Sequence, residues 1–478
     1  MTELDTGGTT IRVTVGRRGG DDVVRAAREA APDGVDVRTV GPTGLTCREP
    51  VLMATRDGRT AAYGRVTPSG AKGLVDALTT ELLEPPAFAV SDDDGTGVPR
   101  PANGPFAVGE RRTLARCGWV DPSDGSPVGS TAPAAVESTA RDSGFRGRGF
   151  VDSADGPVVA SWDAAQSAGG EPAVVVASDT DPDVAADRLL LESDPAAVVD
   201  AATAVADVVE ASDVVVVTGE GDRIARSRVE AVAADTDRDV TVTVGTGAFD
   251  PDEEVMAAET VDDDRPTVVH TPRTLAGLRA LVHGTDSSGG LASDRGAPET
   301  ADDPGTRLVT VCGDADRATV ELPTDAPLST ALDAVGEPSL EFACVGGRLG
   351  GLTRTLDVAA NVDALTTAGL GTNGVVELFD DSRCPVAVAG RRTKFAREHG
   401  CGRCGGCRNV VPELHEQLRA VYDGQFDPDE LRTTCEALAE MDCRVAAAAA
   451  RPTRSALDAF EATFHAHAEG RCPTGECY

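Results

Sequence analysis

Three cysteines within seven residues, Cys401, Cys404 and Cys407, place the strongest constraint on how this chain folds. A C-x2-C-x2-C run with glycines between its cysteines lets one tight loop present three sulfurs to three iron atoms, so a fourth thiolate must arrive from elsewhere in the fold. Cys443, 36 positions beyond Cys407, is the candidate for that fourth ligand. The pattern therefore points to a cubane iron-sulfur cluster and to electron transfer. Zinc is the competing occupant. Structural zinc sites usually pair two short two-ligand hairpins, which fits three clustered cysteines and one distant partner less well. Four unliganded core cysteines are the weakest reading of the motif.

At 478 residues the chain is too long for a single core and predicts three or four domains. Its formal net charge of -35, from 79 acidic against 44 basic residues, has the look of a halophile surface. That acidity disfavours nucleic acid as a partner and favours solubility in strong salt. No basic segment followed by an apolar stretch opens the sequence, and no apolar run approaches 18 residues, so a soluble cytoplasmic protein without a membrane span is expected. The 12 cysteines gather toward the C-terminal half of a chain without a secretion signal, which favours reduced thiols serving a metal over disulfides.

Residues 1–85 read as a small α/β unit, with strands at Thr10 to Val15, Val51 to Thr55 and Thr60 to Tyr63 and helices at Asp21 to Ala31 and from Pro68. Residues 85–105 are rich in Asp, Gly and Pro and read as a linker. From 106 to 284, strand-like runs at Ala173 to Ala177, Val214 to Thr218 and Val240 to Val244 alternate with helices at Pro195 to Glu210 and Arg223 to Ala234, an α/β sandwich pattern. A second polar linker spans 285–306, and a β-rich segment follows to about 388. The stretch 391–470 is helical. Leu414, Leu418 and Val421 mark one helix, and Asp427, Pro428 and Glu430 open a second. Leu431, Cys435 and Leu438 share a face of that second helix, so Cys435 reads as a core thiol. Leu457, Phe460 and Phe464 stripe a third.

The run Cys401-Gly-Arg-Cys-Gly-Gly-Cys-Arg408, the helical pair, Cys443, and Pro452 to Phe464 resemble the C-terminal cluster domain of the flavoprotein subunit of NADH:quinone oxidoreductase, the 51-kDa or F-type family. Gly369 to Ala387 and the run from Val309 to Leu328 resemble the end and start of that family's soluble ligand-binding β-grasp (SLBB) module. Gly41 to Pro50 and Tyr63 to Pro68 resemble a thioredoxin-like ferredoxin module fused to some members. The resemblance implies a multidomain α/β plus α fold. Its parts are a thioredoxin-like module over 1–85, a Rossmann-like FMN and NADH domain over 106–284, a β-grasp SLBB-like module over 306–388 and a helical 4Fe-4S domain over 391–470. In the N-terminal module only Cys47 remains of four expected cysteines, so that module holds no two-iron cluster and reads as a retained scaffold or docking surface.

The flavin and NADH pocket implied by the resemblance keeps its register and loses much of its chemistry. Ser143 to Gly149 matches the start of the glycine-rich loop, but Ser161 stands before Trp162 where a lysine is expected. In the acidic loop, Val176 and Ser178 replace the Asn and Asp that hold the flavin ring, and Asp179 shortens a glutamate. Gly245, Gly247, Glu253 and Glu254 survive, whereas His270 and Thr271 replace two asparagines. Gly147, Gly149, Asp179, Gly245, Gly247, Glu253 and Glu254 are thus the candidate FMN and NADH residues. Each lost hydrogen bond removes about 0.5 to 1.5 kcal/mol. The sequence implies an iron-sulfur electron carrier with weakened flavin chemistry and other redox-complex subunits as partners; the alternative is a non-catalytic iron-sulfur scaffold or docking subunit.

Three further features stand beside this reading. His399, two residues before Cys401, could donate a hydrogen bond toward cluster sulfur, although a solvent-facing loop histidine is the ordinary outcome. His465, His467, Cys472 and Cys477 meet the ligand count of a second metal site, yet the Cys-Pro-x-Gly-x-Cys tail resembles the junction that precedes an extra ferredoxin module in some relatives. Cys117, Cys312, Cys344 and Cys384 stand singly and read as core packing.

Overall fold

The computed structural model describes residues 8–78, 87–91, 97–124, 130–150, 156–178, 181, 183–249, 265–284, 303–313, 316–336 and 340–477. They build three β-sheets and a C-terminal helical array. The first sheet has the order β2 (Asp36–Val40), β1 (Thr10–Thr14), β3 (Leu52–Arg56), β4 (Arg59–Tyr63), β5 (Ala89–Ser91). β1 runs parallel to β2 and antiparallel to β3. Helices α1 (Asp21–Ala30) and α2 (Pro68–Leu78) pack with this sheet. Asp21 and Asp22 in the first turn of α1 and Arg28 in its last suit the helix dipole. Two features depart from the sequence expectation. Strand β2, with Asp36, Arg38 and Thr39 among only two valines, is too polar to stand out in a hydrophobic scan, and β5 pairs with β4 inside the stretch read as a linker.

Helices α3 (Pro133–Ser143) and α4 (Val158–Ala168) lead into the second sheet, which is all parallel. Its order is β8 (Val240–Val244), β7 (Asp213–Thr218), β6 (Ala173–Ala177), β9 (Thr267–His270). The runs AVVVA and DVVVVT are nearly all buried: Val174, Val176, Val214 and Val216 lie under a cover of helices, and Val175, Ala177, Val215 and Val217 form a separate apolar cluster with Val269 on the other face. Helices α5 (Ala186–Ser193), α6 (Pro195–Val208), α7 (Arg223–Ala233) and α8 (Pro272–Gly284) supply that cover.

The third sheet is mixed, in the order β11 (Arg317–Pro323), β10 (Thr306–Cys312), β14 (Val375–Phe379), β12 (Phe342–Val345), β13 (Gly351–Thr353), with the short helix α9 (Val362–Thr367) before β14. Ahead of β10, Asp303 is buried in the stretch expected to be a linker. Its carboxylate accepts from Arg148 at 2.5 Å and from Arg307 at 3.2 Å and takes the backbone N–H of Val362, while its carbonyl accepts from Thr324. Residue 303 therefore joins the glycine-loop region to the third sheet and to α9.

The helical array comprises α10 (Pro385–His399), α11 (Val411–Ala420), α12 (Pro428–Ala439), α13 (Arg444–Ala449) and α14 (Arg451–Ala468). Asp427 caps α12 by accepting from the N–H groups of Asp429 and Glu430. Leu414, Leu418, Leu431, Cys435, Leu438, Leu457, Phe460 and Phe464 share one core with Cys401 and Cys407. The short α13, which periodicity did not reveal in so alanine-rich a run, begins directly after Cys443 and fixes that residue at its N-cap.

Candidate functional site

The loop after α10 and the N-cap of α13 bring the four expected cysteines together: the Sγ atoms of Cys401, Cys404, Cys407 and Cys443 all lie within 4.8 Å of one another. The Sγ of Cys443 is 3.8 Å from that of Cys407 and 3.7 Å from that of Cys401. Backbone geometry makes the loop possible. Gly402 sits at φ 62°, in the left-handed region that favours glycine. At Gly406 a Cβ would come within 2.8 Å of the Ala446 methyl carbon, so only glycine lets the loop approach α13 this closely. Gly406–Val410 then form a π-helical turn that turns Cys407 inward.

Cys401 and Cys407 are buried, while Cys404 and Cys443 are partly exposed. The Sγ of Cys401 accepts from the N–H of Cys404, and that of Cys404 accepts from the N–H of Cys407 at 3.2 Å. Burial alone would push the Cys401 thiol up, but backbone N–H groups of Cys404 and Arg403 outweigh it and hold this thiol below its ordinary range. Burial raises Cys407 and Cys443. A thiolate is the form that binds metal, and the N–H groups of Cys404 and Arg403 favour it at Cys401. The donor set, four thiols with three on one loop, fits a cubane cluster. The 3.7 and 3.8 Å separations also match the edge of about 3.8 Å that a single tetrahedral ion with bonds of about 2.3 Å would draw.

His399 is exposed and stacks on Phe395 with ring centroids 4.5 Å apart. Cys435 lies fully buried on α12, outside the quartet, as its helical face predicted. Cys117, Cys312 and Cys344 are buried as expected.

The candidate flavin residues converge less completely. The segments after β6, β8 and β9 all leave the same edge of the parallel sheet, because the strands share one direction, and the C-terminal edge of such a sheet is where ligands bind. Gly245 donates its N–H to Thr218, and Gly247 has φ 75° with open space where a side chain would stand. Gly147 donates to the carbonyl of Gly156. At Gly149, by contrast, a Cβ would meet Thr271 at 2.5 Å and Arg273 at 2.9 Å. Asp179, Glu253 and Glu254 lie outside the described residues.

Three of the replaced residues, Ser161, His270 and Thr271, bond to protein neighbours. The Trp162 indole N–H donates to Nε2 of His270 at 2.8 Å with both side chains buried, Ser161 donates to the Val158 carbonyl, and Thr271 bonds Thr274. Nearby, Arg148, Arg273 and Arg307 line a void of only about 10 Å³, with room for at most one water.

At the N-terminal module, the loop around Cys47 is occupied by protein. Cys47 donates its N–H to the Arg317 carbonyl, Arg111 donates to the Thr43 carbonyl, and Ser193 donates to the Pro42 carbonyl at 2.7 Å.

Sequence reasoning missed one residue of interest, Cys384. Its Sγ lies 3.5 Å from Nε2 of His467, and no spacing rule links residues 83 apart.

Among the described residues, no helix is long and apolar enough to cross a membrane. A family profile described as the NADH-ubiquinone oxidoreductase-F iron-sulfur binding region matches residues 387–467, which hold the whole thiol quartet. An F-type NADH-quinone oxidoreductase protein of Rhizobium meliloti (strain 1021) is 26% identical over 397 residues, 72% of this chain and 92% of that protein. The NADP-reducing hydrogenase component HndC of Solidesulfovibrio fructosivorans is 25% identical over 424 residues, 76% of this chain and 84% of its own. The crystal structure of an NAD+-reducing [NiFe]-hydrogenase in the air-oxidized state superposes with a TM-score of 0.63 at 20% identity, covering 97% of this chain and 86% of that one, which shows a shared fold. The profile match encloses all four converging thiols, and the relatives carry the likeness over about 72% of the sequence: the chain is similar to the F-type NADH-quinone oxidoreductase proteins well beyond its cluster-binding region.

Proposed function

We propose that this chain is an iron-sulfur electron-transfer subunit of a redox complex, with Cys401, Cys404, Cys407 and Cys443 as the ligands of one 4Fe-4S cluster. The observation that carries the reading is the convergence of four thiols inside the stretch that matches the iron-sulfur binding region. A cluster bound there supplies one-electron carriage at a potential set by burial and by hydrogen bonds to its sulfurs. The N–H groups of Cys404 and Cys407 already point at sulfur, and the partial exposure of Cys404 and Cys443 leaves one face open toward a partner.

Phe150, Phe249 and Phe395 form an aromatic series from the parallel-sheet domain to α10, with centroid separations of 5.5 and 4.9 Å, and Arg444 of α13 donates to the Phe150 carbonyl. The cluster region and the flavin-domain region thus pack directly against each other. The retained glycines support residual FMN binding, whereas the Trp162 and His270 pair supports a relay in which hydride entry from NADH is diminished. The module identities follow the same reading: thioredoxin-like for 1–85, Rossmann-like for 106–284, β-grasp for 306–388 and helical cluster-binding for 391–470. The names of the relatives, each a subunit, support other redox-complex subunits as partners, and twelve unpaired cysteines support a reducing, cytoplasmic setting. The docked Cys47 loop supports a scaffold role for the N-terminal module.

A second reading, a single zinc ion in the quartet, is favoured by the sulfur separations alone. Iron, sulfide and released-flavin assays with a visible spectrum, on protein purified without oxygen in high salt, decide among these. Four irons and four sulfides per chain with little flavin is the expected result. Stoichiometric flavin with bleaching by NADH would restore the dehydrogenase, and zinc without sulfide would overturn the cluster.

A further inference from the structure

A second set of metal-binding side chains meets at the opposite end of α10. Cys384 at its N-cap, His467 near the end of α14, and Cys472 and Cys477 in the turn that follows place their ligand atoms within 4.8 Å of one another. Nε2 of His467 is 3.5 Å from the Cys384 sulfur and 3.4 Å from the Cys477 sulfur. Tetrahedral zinc, with bonds of about 2.3 Å to sulfur and 2.0 to 2.1 Å to nitrogen, sets such pairs about 3.5 Å apart.

We propose that Cys384, His467, Cys472 and Cys477 form a structural Cys3His zinc site. Three of these four residues lie outside the stretch 387–467 that matches the cluster-binding region, and the inference goes beyond the electron-transfer reading.

Local structure around the four residues supports this assignment. His467 is fully buried, and its Nδ1 bonds the Thr463 carbonyl at 2.7 Å. A carbonyl can only accept, so the proton sits on Nδ1 and the Nε2 lone pair faces the three sulfurs, the tautomer that a metal-ligating histidine needs. Cys472 and Cys477 are spaced C-x4-C, within the range of structural zinc hairpins, and the turn between them closes through Gly475, which sits at φ 76° and donates to the Cys472 carbonyl. Tyr422 lays its ring edge-on to His467 at 5.3 Å, and its hydroxyl lies 3.6 Å from the Cys477 sulfur, closing the side of the site.

The turn is independently tied down. Glu476 accepts from the N–H of Cys384 at 2.5 Å and pairs with Arg391 at 2.9 Å and with Arg383 at 3.3 Å. These contacts hold Cys477 over the start of α10 whether or not an ion is present. His465, which the sequence offered as a ligand, faces away and pairs with Glu461 instead. With closed tetrahedral coordination and no redox chemistry of its own, zinc here would clamp the tail against α10 and α14.

Metal analysis of the full chain tests this independently of the cluster. The expected protein holds one zinc in addition to its iron. Zinc falls more than tenfold in Cys472→Ser and in Cys477→Ser while iron and visible absorbance persist, and zinc stays at one per chain in Cys404→Ser. X-ray absorption at the zinc edge of the unmutated protein, which does not depend on any variant folding, should give three sulfurs and one nitrogen. A spectrum of four sulfurs, zinc that follows Cys404 and not Cys477, iron at this second site, or zinc-free protein from zinc-replete medium would each overturn the proposal.

Discussion

At the scale of single residues, the separation between ligand and core cysteines is the sharpest test of the cluster centre. Cys404→Ser removes a thiolate from the quartet and should abolish the broad visible absorbance, take iron to near zero and lower the melting temperature of the C-terminal helices. Cys435→Ser changes a fully buried thiol on α12 that lies outside the ligand quartet. It should cost about 1 to 3 kcal/mol for a poorly satisfied buried hydroxyl while leaving iron content unchanged. Equal iron loss in both variants would sink the ligand assignment. The quartet was readable from spacing because a tight loop declares itself in local sequence. Cys384 was not, because its neighbours His467 and Cys477 reach it only through the fold of α10 against α14.

At the scale of elements, strongly apolar or well-capped segments were legible: the runs AVVVA and DVVVVT, the Asp427 cap and the stripe of Leu457, Phe460 and Phe464 stand where expected. Polar connections misled, since their composition hid real structure. Asp303, in a stretch rich in Ser, Gly and Asp, is buried, and although burial works against its charge, Arg307 and Arg148 outweigh it and hold its carboxyl below the ordinary 3.8. A carboxylate depressed in the folded state contributes stability above its unfolded value and loses it as pH falls through the folded one. The contribution is therefore complete at neutral pH and disappears below about pH 4. Asp303→Asn should destabilise by about 3 to 5 kcal/mol at pH 7. Its deficit against the unmutated protein should shrink in denaturant titrations below pH 4, and a deficit constant from pH 7 to pH 3 would remove Asp303 from this role.

At the scale of the whole molecule, 79 acidic residues against 44 basic ones leave a net charge of -35, and that self-repulsion must be screened. Because the screening length falls from about 10 Å at 0.1 M salt to about 3 Å at 1 M, the melting temperature should rise by several degrees between those concentrations in potassium chloride. A flat or falling curve would show that the acidic surface does not govern stability. The sequence carried this global property plainly, as it did the apolar strands from which the sheets are built. It could not carry how those units lock together, because the locks are single long-range contacts such as Arg148 on Asp303 and the Cys47 loop on the third sheet. The Cys47 contact bears on biosynthesis. The Ala334 carbonyl that receives the Cys47 thiol is made 287 residues after it. At about 5 to 20 residues per second, the N-terminal module waits roughly 15 to 60 seconds on the ribosome before its docking surface is complete. Through that interval the loop from Gly41 to Arg48 has Arg111 and Ser193 against it but lacks the rest of its cover, which leaves it a segment of the nascent chain open to chaperones.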